Sequence, residues 1–138
     1  MDINPIIFLV FPIILFSLSV HECAHALVAW WGGDDTARLL GRITLNPISH
    51  IDIFGTIIIP ILAVISGFPM IGWAKPVPVN LSRLKKRSWD VCITLAGPGS
   101  NLLLALLATL ILKGVFIVED PSSLHPVVSQ LGYLFIIF

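Results

Sequence analysis

Residues 3–31 read INPIIFLVFPIILFSLSVHECAHALVAWW, and this stretch decides the fold. It is apolar for most of its length and stops at Gly32-Gly33-Asp34-Asp35, a helix terminator followed by a turn. As a helix rising ~1.5 Å per residue, it is long enough to cross a hydrocarbon layer of ~30 Å. Asp2 stands where a signal peptide carries positive charge, and the apolar run is too long for one. The segment therefore reads as a retained membrane span.

The rest of the chain agrees. Of 138 residues, 57% are hydrophobic and 12% charged, with mean hydropathy +0.98, which excludes a water-soluble globule and a disordered tail. Eight basic residues balance eight acidic ones, so no net field draws in a nucleic acid. Two further apolar blocks run from about Ile53 to Trp73 and from about Trp89 to Leu112, each long enough for a span. Trp30, Trp31, Trp73 and Trp89 all fall at block edges, as interfacial anchors do. A last apolar run, Val127 to Phe138, would rise only ~18 Å as a helix and has no polar face. It reads as the start of a fourth span, with the chain cut inside it.

The expected fold is mainly α, a polytopic membrane helix bundle of three full spans plus the start of a fourth. Short β-strand or extended connections join the spans. Ala37–Pro47 has the β-branched, partly alternating character of one or two strands, with Gly41 as turn or bulge. Lys75–Asn80 is extended because Pro76 and Pro78 forbid helix. Either connection also reads as a plain polar linker. Lys75, Arg83, Lys85, Lys86 and Arg87 give the second connection a positive bias, which places it and the N-terminus in the cytoplasm. Cys23 and Cys92 are too few for a disulfide framework, lack CxxC spacing and lie in apolar stretches, so they read as free, buried thiols.

Within the first span, His21-Glu22-Cys23-Ala24-His25 forms an HExxH. Residues i and i+4 of a helix share a face, so His21 and His25 can hold one ion, and Glu22 is turned toward a water beside it. His21 lies ten residues before Trp31, about 15 Å below the surface that Trp31 marks. Ionisable groups at that depth cost roughly 2.5–3.5 kcal/mol each unless paired, so a metal or proton path is the physical reason for them. The alternative for a single histidine is a satisfied core residue; the pair with glutamate between them points to metal. Val28, and Trp31-Gly32 without a third histidine, do not fit the longer HExxHxxGxxH form.

Four motifs together carry a resemblance. They are His21–His25, Gly41-Arg42-Ile43-Thr44-Leu45-Asn46-Pro47 with His50 and Asp52, Gly72–Asn80, and Ala96-Gly97-Pro98-Gly99-Ser100-Asn101. In this order the chain resembles the site-2 protease family of intramembrane zinc metalloproteases, in its compact prokaryotic form. The resemblance implies Zn²⁺ held by His21 and His25, with Glu22 as the catalytic base. Gly97 and Asn101 match the family's Gly-xxx-Asn element, implicated in substrate handling; read as residues alone, they equally suit close helix packing. The family's third ligand is an aspartate in Leu-Asp-Gly, a tripeptide that these 138 residues do not contain. Asp52 and His50 are the chemical substitutes, and a capping or turn role is their alternative.

The expectation is thus one intramembrane metalloprotease domain over residues 1–138, incomplete at its C-terminus, in a multi-pass cell-membrane protein. It would cleave membrane-embedded or membrane-proximal segments of a membrane-protein substrate within the lipid bilayer, by metal-activated water. Asn46, Asn80 and Asn101 would line a path for water. Lys75–Asn80 or Arg42–Asn46 would capture the unwound substrate by strand addition. The alternatives are a truncated, non-catalytic relative that binds membrane helices, and a haem or proton-path protein.

Overall fold

Two long apolar helices, packed antiparallel, form the frame. The computed structural model describes residues 6–68 and 72–118. Helix α1 spans Ile6–Gly32, α2 is the single turn Thr36–Leu39, α3 is Ile59–Ser66, and α4 spans Ser88–Val118. Within α1 and α4, Phe11–Gly32 and Ser88–Ile111 are long and apolar enough to cross a membrane. Small residues bring the two helices together: Ala26 and Ala29 of α1 are wholly buried, and Gly32 lies against the Trp89 ring. As α1 runs from Ser17 to Gly32, its partners on α4 run backward from Asn101 to Trp89. The outer face of α4 is left uncovered, with Leu102 74% and Ile111 66% exposed. Such a belt of large aliphatic side chains is uncharacteristic of a water-facing helix.

The second apolar block departs from expectation. It begins with a π-helical stretch, Ile53–Ile58, and continues as α3. The helix ends at Gly67, whose left-handed backbone (φ +71°) stops it. Six π-helical and eight α-helical residues rise roughly 20 Å, short of the ~30 Å needed. The chain then returns: the Trp73 N–H donates to the Gly55 carbonyl at 3.1 Å, and the Thr56 hydroxyl donates to the Trp73 carbonyl at 2.8 Å. Trp73 therefore packs on the beginning of its own segment instead of marking the far side of a span. The expected full span over Ile53–Trp73 is corrected to a shorter apolar helix, and with it the expected shared side of the N-terminus and the Lys75–Arg87 connection: the connection sits at the Gly32 end of α1, opposite its N-terminal end. The expected fourth span lies outside the described residues.

The expected strands are also corrected, since the described residues contain none. In Ala37–Pro47 the first residues belong to α2, which closes in a Schellman arrangement. The Arg42 N–H bonds the Ala37 carbonyl, the Gly41 N–H bonds the Arg38 carbonyl, and Gly41 takes φ +67°. Asn46-Pro47 then starts a 3₁₀ turn, Pro47–His50; the Asn46 side chain accepts the Ile48 N–H at 3.1 Å and proline occupies the first helical position. Lys75–Asn80 is extended, as its prolines require, but pairs with no strand. The thiols are free; Cys92 is exposed and Cys23 half-buried, so the expectation of burial fails for Cys92.

Candidate metal centre

The middle of the α1–α4 interface holds His21 and His25 one turn apart. Their Nε2 atoms are 3.1 Å from each other, and their rings meet edge to face. Two Zn–N bonds of 2.0–2.1 Å at a tetrahedral angle would place the nitrogens about 3.3 Å apart, so this spacing suits joint ligation. The opposite ring nitrogens are anchored on α4. His25 Nδ1 donates to the Ile93 carbonyl at 2.6 Å, which leaves its Nε2 without a proton. His21 Nδ1 meets the Asn101 side-chain amide at 3.2 Å, and Asn101 also meets the Ser17 hydroxyl at 3.3 Å.

The Asn101 network closes in two ways, because a half-turn of an amide exchanges its oxygen and nitrogen. With the nitrogen toward His21, the amide donates to Nδ1, and His21 Nε2–H donates to His25. With the oxygen toward His21, Nδ1–H donates to the amide and Ser17 accepts from it; both Nε2 lone pairs are then free for a metal. A carbonyl or amide partner behind each imidazole is the usual support of a histidine ligand.

Gly97 faces the same point. A β-carbon at residue 97 would lie well inside 3.0 Å of both Nε2 atoms, in the space toward which they converge. Glycine leaves that space open. The donor chemistry and this gap fit a metal ion, though among the described residues no third His, Cys, Asp or Glu joins the two histidines. His50 and Asp52 serve elsewhere. His50 is 2% exposed and its Nε2 donates to the Thr44 carbonyl at 2.9 Å. Asp52 caps the π-helical stretch, accepting from the N–H groups of Phe54 and Gly55 at 3.1 and 2.8 Å.

Glu22 reaches the Lys75–Asn80 segment. Its Oε2 accepts the Val77 N–H at 3.0 Å. Of the three asparagines expected to line a water path, Asn46 and Asn80 spend their side-chain oxygens capping 3₁₀ turns, and Asn101 alone stands at the histidines. Ile93 and Ser17 belong to no motif in the sequence, and Val77 stands there only within the Lys75–Asn80 segment expected to capture substrate. Ile93 acts through its backbone, which no side-chain motif reveals. Val77 had a visible cue in its flanking prolines, which leave it as an isolated N–H donor.

With this geometry described, comparison with known proteins assigns the class: residues 9–135 match the model of Peptidase family M50, and the chain belongs to that family of site-2-type proteases. It is 49% identical over 100 residues to "Putative zinc metalloprotease YwhC" of Bacillus subtilis, covering 72% of this chain and 42% of that protein. It is 33% identical over 94 residues to "Putative zinc metalloprotease Rip2" of Mycolicibacterium smegmatis, covering 67% and 35%. The same values hold for Rip2 of Mycobacterium tuberculosis strain H37Rv. The chain thus spans less than half the length of these relatives. No solved structure matches it.

Proposed function

We propose that this chain supplies the catalytic base and two metal ligands of an intramembrane zinc endopeptidase in the cell membrane. Its substrates are membrane-embedded or membrane-proximal segments of other membrane proteins. The observation that carries the reading is the convergence of two Nε2 atoms and the side-chain-free Gly97 on one point. His21 and His25 would hold Zn²⁺ through Nε2, with Ile93 and Asn101 fixing the ring orientations. Bound there, zinc supplies Lewis acidity to the scissile carbonyl and to the attacking water.

The remaining steps belong to the protein. Glu22 has one carboxylate oxygen held by Val77 and the other available to accept a proton from water and return it to the leaving amine. The α1–α4 interface keeps this chemistry among apolar residues. A substrate helix must unwind to expose its carbonyl, and the Lys75–Asn80 segment beside Glu22 is where an extended chain would lie. Because the Lys75, Val77 and Asn80 N–H groups already bond His50, Glu22 and Asp34, and Pro76 and Pro78 have none, the substrate would pair with the Val79 N–H and the carbonyls of that segment.

The test is cleavage of a membrane-anchored substrate by the full-length protein in proteoliposomes, with zinc measured alongside. Glu22→Gln should abolish cleavage and keep zinc; His21→Ala with His25→Ala should lose both. Wild-type protein that binds zinc without cleaving any membrane-anchored substrate would reduce it to a helix-binding relative. Full cleavage by the double histidine variant would overturn the reading.

A further inference from the structure

Asp34 is a carboxylate with no exposed surface, immediately beyond the helix stop Gly32-Gly33. Burying an ionised carboxyl is costly unless donors replace its water. Three do so: Oδ1 accepts the Thr36 N–H at 3.0 Å and the Thr36 hydroxyl at 2.5 Å, and Oδ2 accepts the Asn80 N–H at 2.6 Å. One oxygen therefore serves the local turn, and the other reaches across 46 residues of sequence. Asp34 is itself fixed to α1, since its N–H donates to the Ala29 carbonyl at 2.9 Å.

The segment it reaches is the one that holds Glu22. From Lys75 to Asn80, the Lys75 N–H donates to the His50 carbonyl at 2.9 Å, the Val77 N–H to Glu22, and the Asn80 N–H to Asp34. Pro76 and Pro78 have no N–H and restrict φ on both sides of Val77, so the segment transmits position along its length. Glu22 and Asp34, both carried by α1 and its end, thus grip one stiff strap three residues apart.

We infer that Asp34 is a positioning residue for Glu22, setting the register of the Pro76–Asn80 strap so that the Val77 N–H meets the carboxylate. The inference rests on the proposed role of Glu22 for its catalytic consequence, but the mechanical coupling does not. The strap is independently moored at Lys75 on the His50 carbonyl, and the chain just beyond it by the Lys85 N–H on the Gly32 carbonyl at 2.8 Å. Loss of Asp34 should therefore shift the register without releasing the strap or disturbing the paired histidines.

The experiment uses the full-length protein in nanodiscs and reads amide hydrogen exchange, zinc content and kinetics on a membrane-anchored substrate. Asp34→Ala should speed exchange at both Asn80 and Val77, whereas Glu22→Gln should leave Asn80 protected. Zinc content and KM should hold while kcat falls about tenfold or more, the range typical of lost supporting contacts. Asp34→Asn keeps an acceptor oxygen and the side-chain volume, should recover part of kcat, and serves if the alanine variant does not fold. Unchanged Val77 exchange in both Asp34 variants overturns the coupling whether or not the protein cleaves anything. Zinc lost in step with kcat would make Asp34 merely structural and overturn it too. A wild-type protein without cleavage would sink the protease reading, while the exchange data would still decide the coupling.

Discussion

Asn101 on α4 and His21 on α1 meet amide to imidazole at 3.2 Å, across 80 residues of sequence. The contact orients the His21 ring, and the direction of the amide decides whether its Nε2 lone pair faces the gap beside Gly97. Asn101→Leu should lower zinc affinity about 10–100-fold, the usual cost of losing the group behind a histidine ligand. Ser17→Ala, one step removed, should cost less. Competition with a chromophoric chelator measures both, and wild-type affinity in Asn101→Leu would show that the contact has no part in metal binding.

Gly97 and Gly99 offer a matched pair. A β-carbon at residue 97 would collide with both imidazoles, while one at residue 99 meets nothing within 4 Å. Gly97→Ala should lose zinc and cleavage together. Gly99→Ala should keep both, with stability changed by no more than about 1 kcal/mol. Metal analysis of the two purified variants is decisive, because simple helix packing predicts no selective loss of metal at 97.

The return of the chain at Trp73 depends on Gly55. A β-carbon there would overlap the Trp73 indole ring. Gly55→Ala should destabilise the protein by roughly 1–3 kcal/mol through overpacking. Gly67→Ala, where space is open but φ is +71°, should cost about 1–2 kcal/mol through backbone strain alone. Adding Trp73→Ala should rescue the first variant and not the second, as thermal melting in detergent would reveal.

Acid should loosen the end of α1. Burial by itself would push the Asp34 carboxyl up, but hydrogen bonds from Thr36 and Asn80, aided by the Arg83 charge, hold it below its ordinary value. A carboxyl depressed in the folded state stabilises fully above its unfolded pKa of ~3.9, and that stability disappears as pH falls through the lower folded value. Wild-type Tm should accordingly drop more steeply below about pH 4 than that of Asp34→Asn, with the wild type the more stable at neutral pH. Parallel Tm curves for the two proteins between acid and neutral pH would contradict this account.

Several features were legible before any tertiary contact was known. The two long helices follow from apolar runs that hold their length, and the histidine pair follows from a four-residue interval on one of them. Gly41 as a turn and Lys75–Asn80 as extended chain also followed from local stereochemistry, because a left-handed glycine and two fixed proline φ angles act within their own neighbourhoods. The strands expected in Ala37–Pro47 failed for local reasons too: α2 and its Schellman turn take the first residues and the Asn46-Pro47 helix start takes the last.

What the order of residues alone determined was chemistry within reach of one helix turn: His21, Glu22 and His25, and an apolar setting for them. Only the packed molecule decided what stands behind and before those groups. The Ile93 carbonyl, the Asn101 amide, the space kept by Gly97 and the Val77 N–H come from segments 55 to 80 positions away. Hydropathy likewise could not show that Trp73 returns to Gly55, since an apolar run looks the same whether it traverses or turns back. Helix propensity and periodicity are short-range properties, whereas a site assembled between α1, α4 and a proline-stiffened strap depends on contacts that form only when those elements pack.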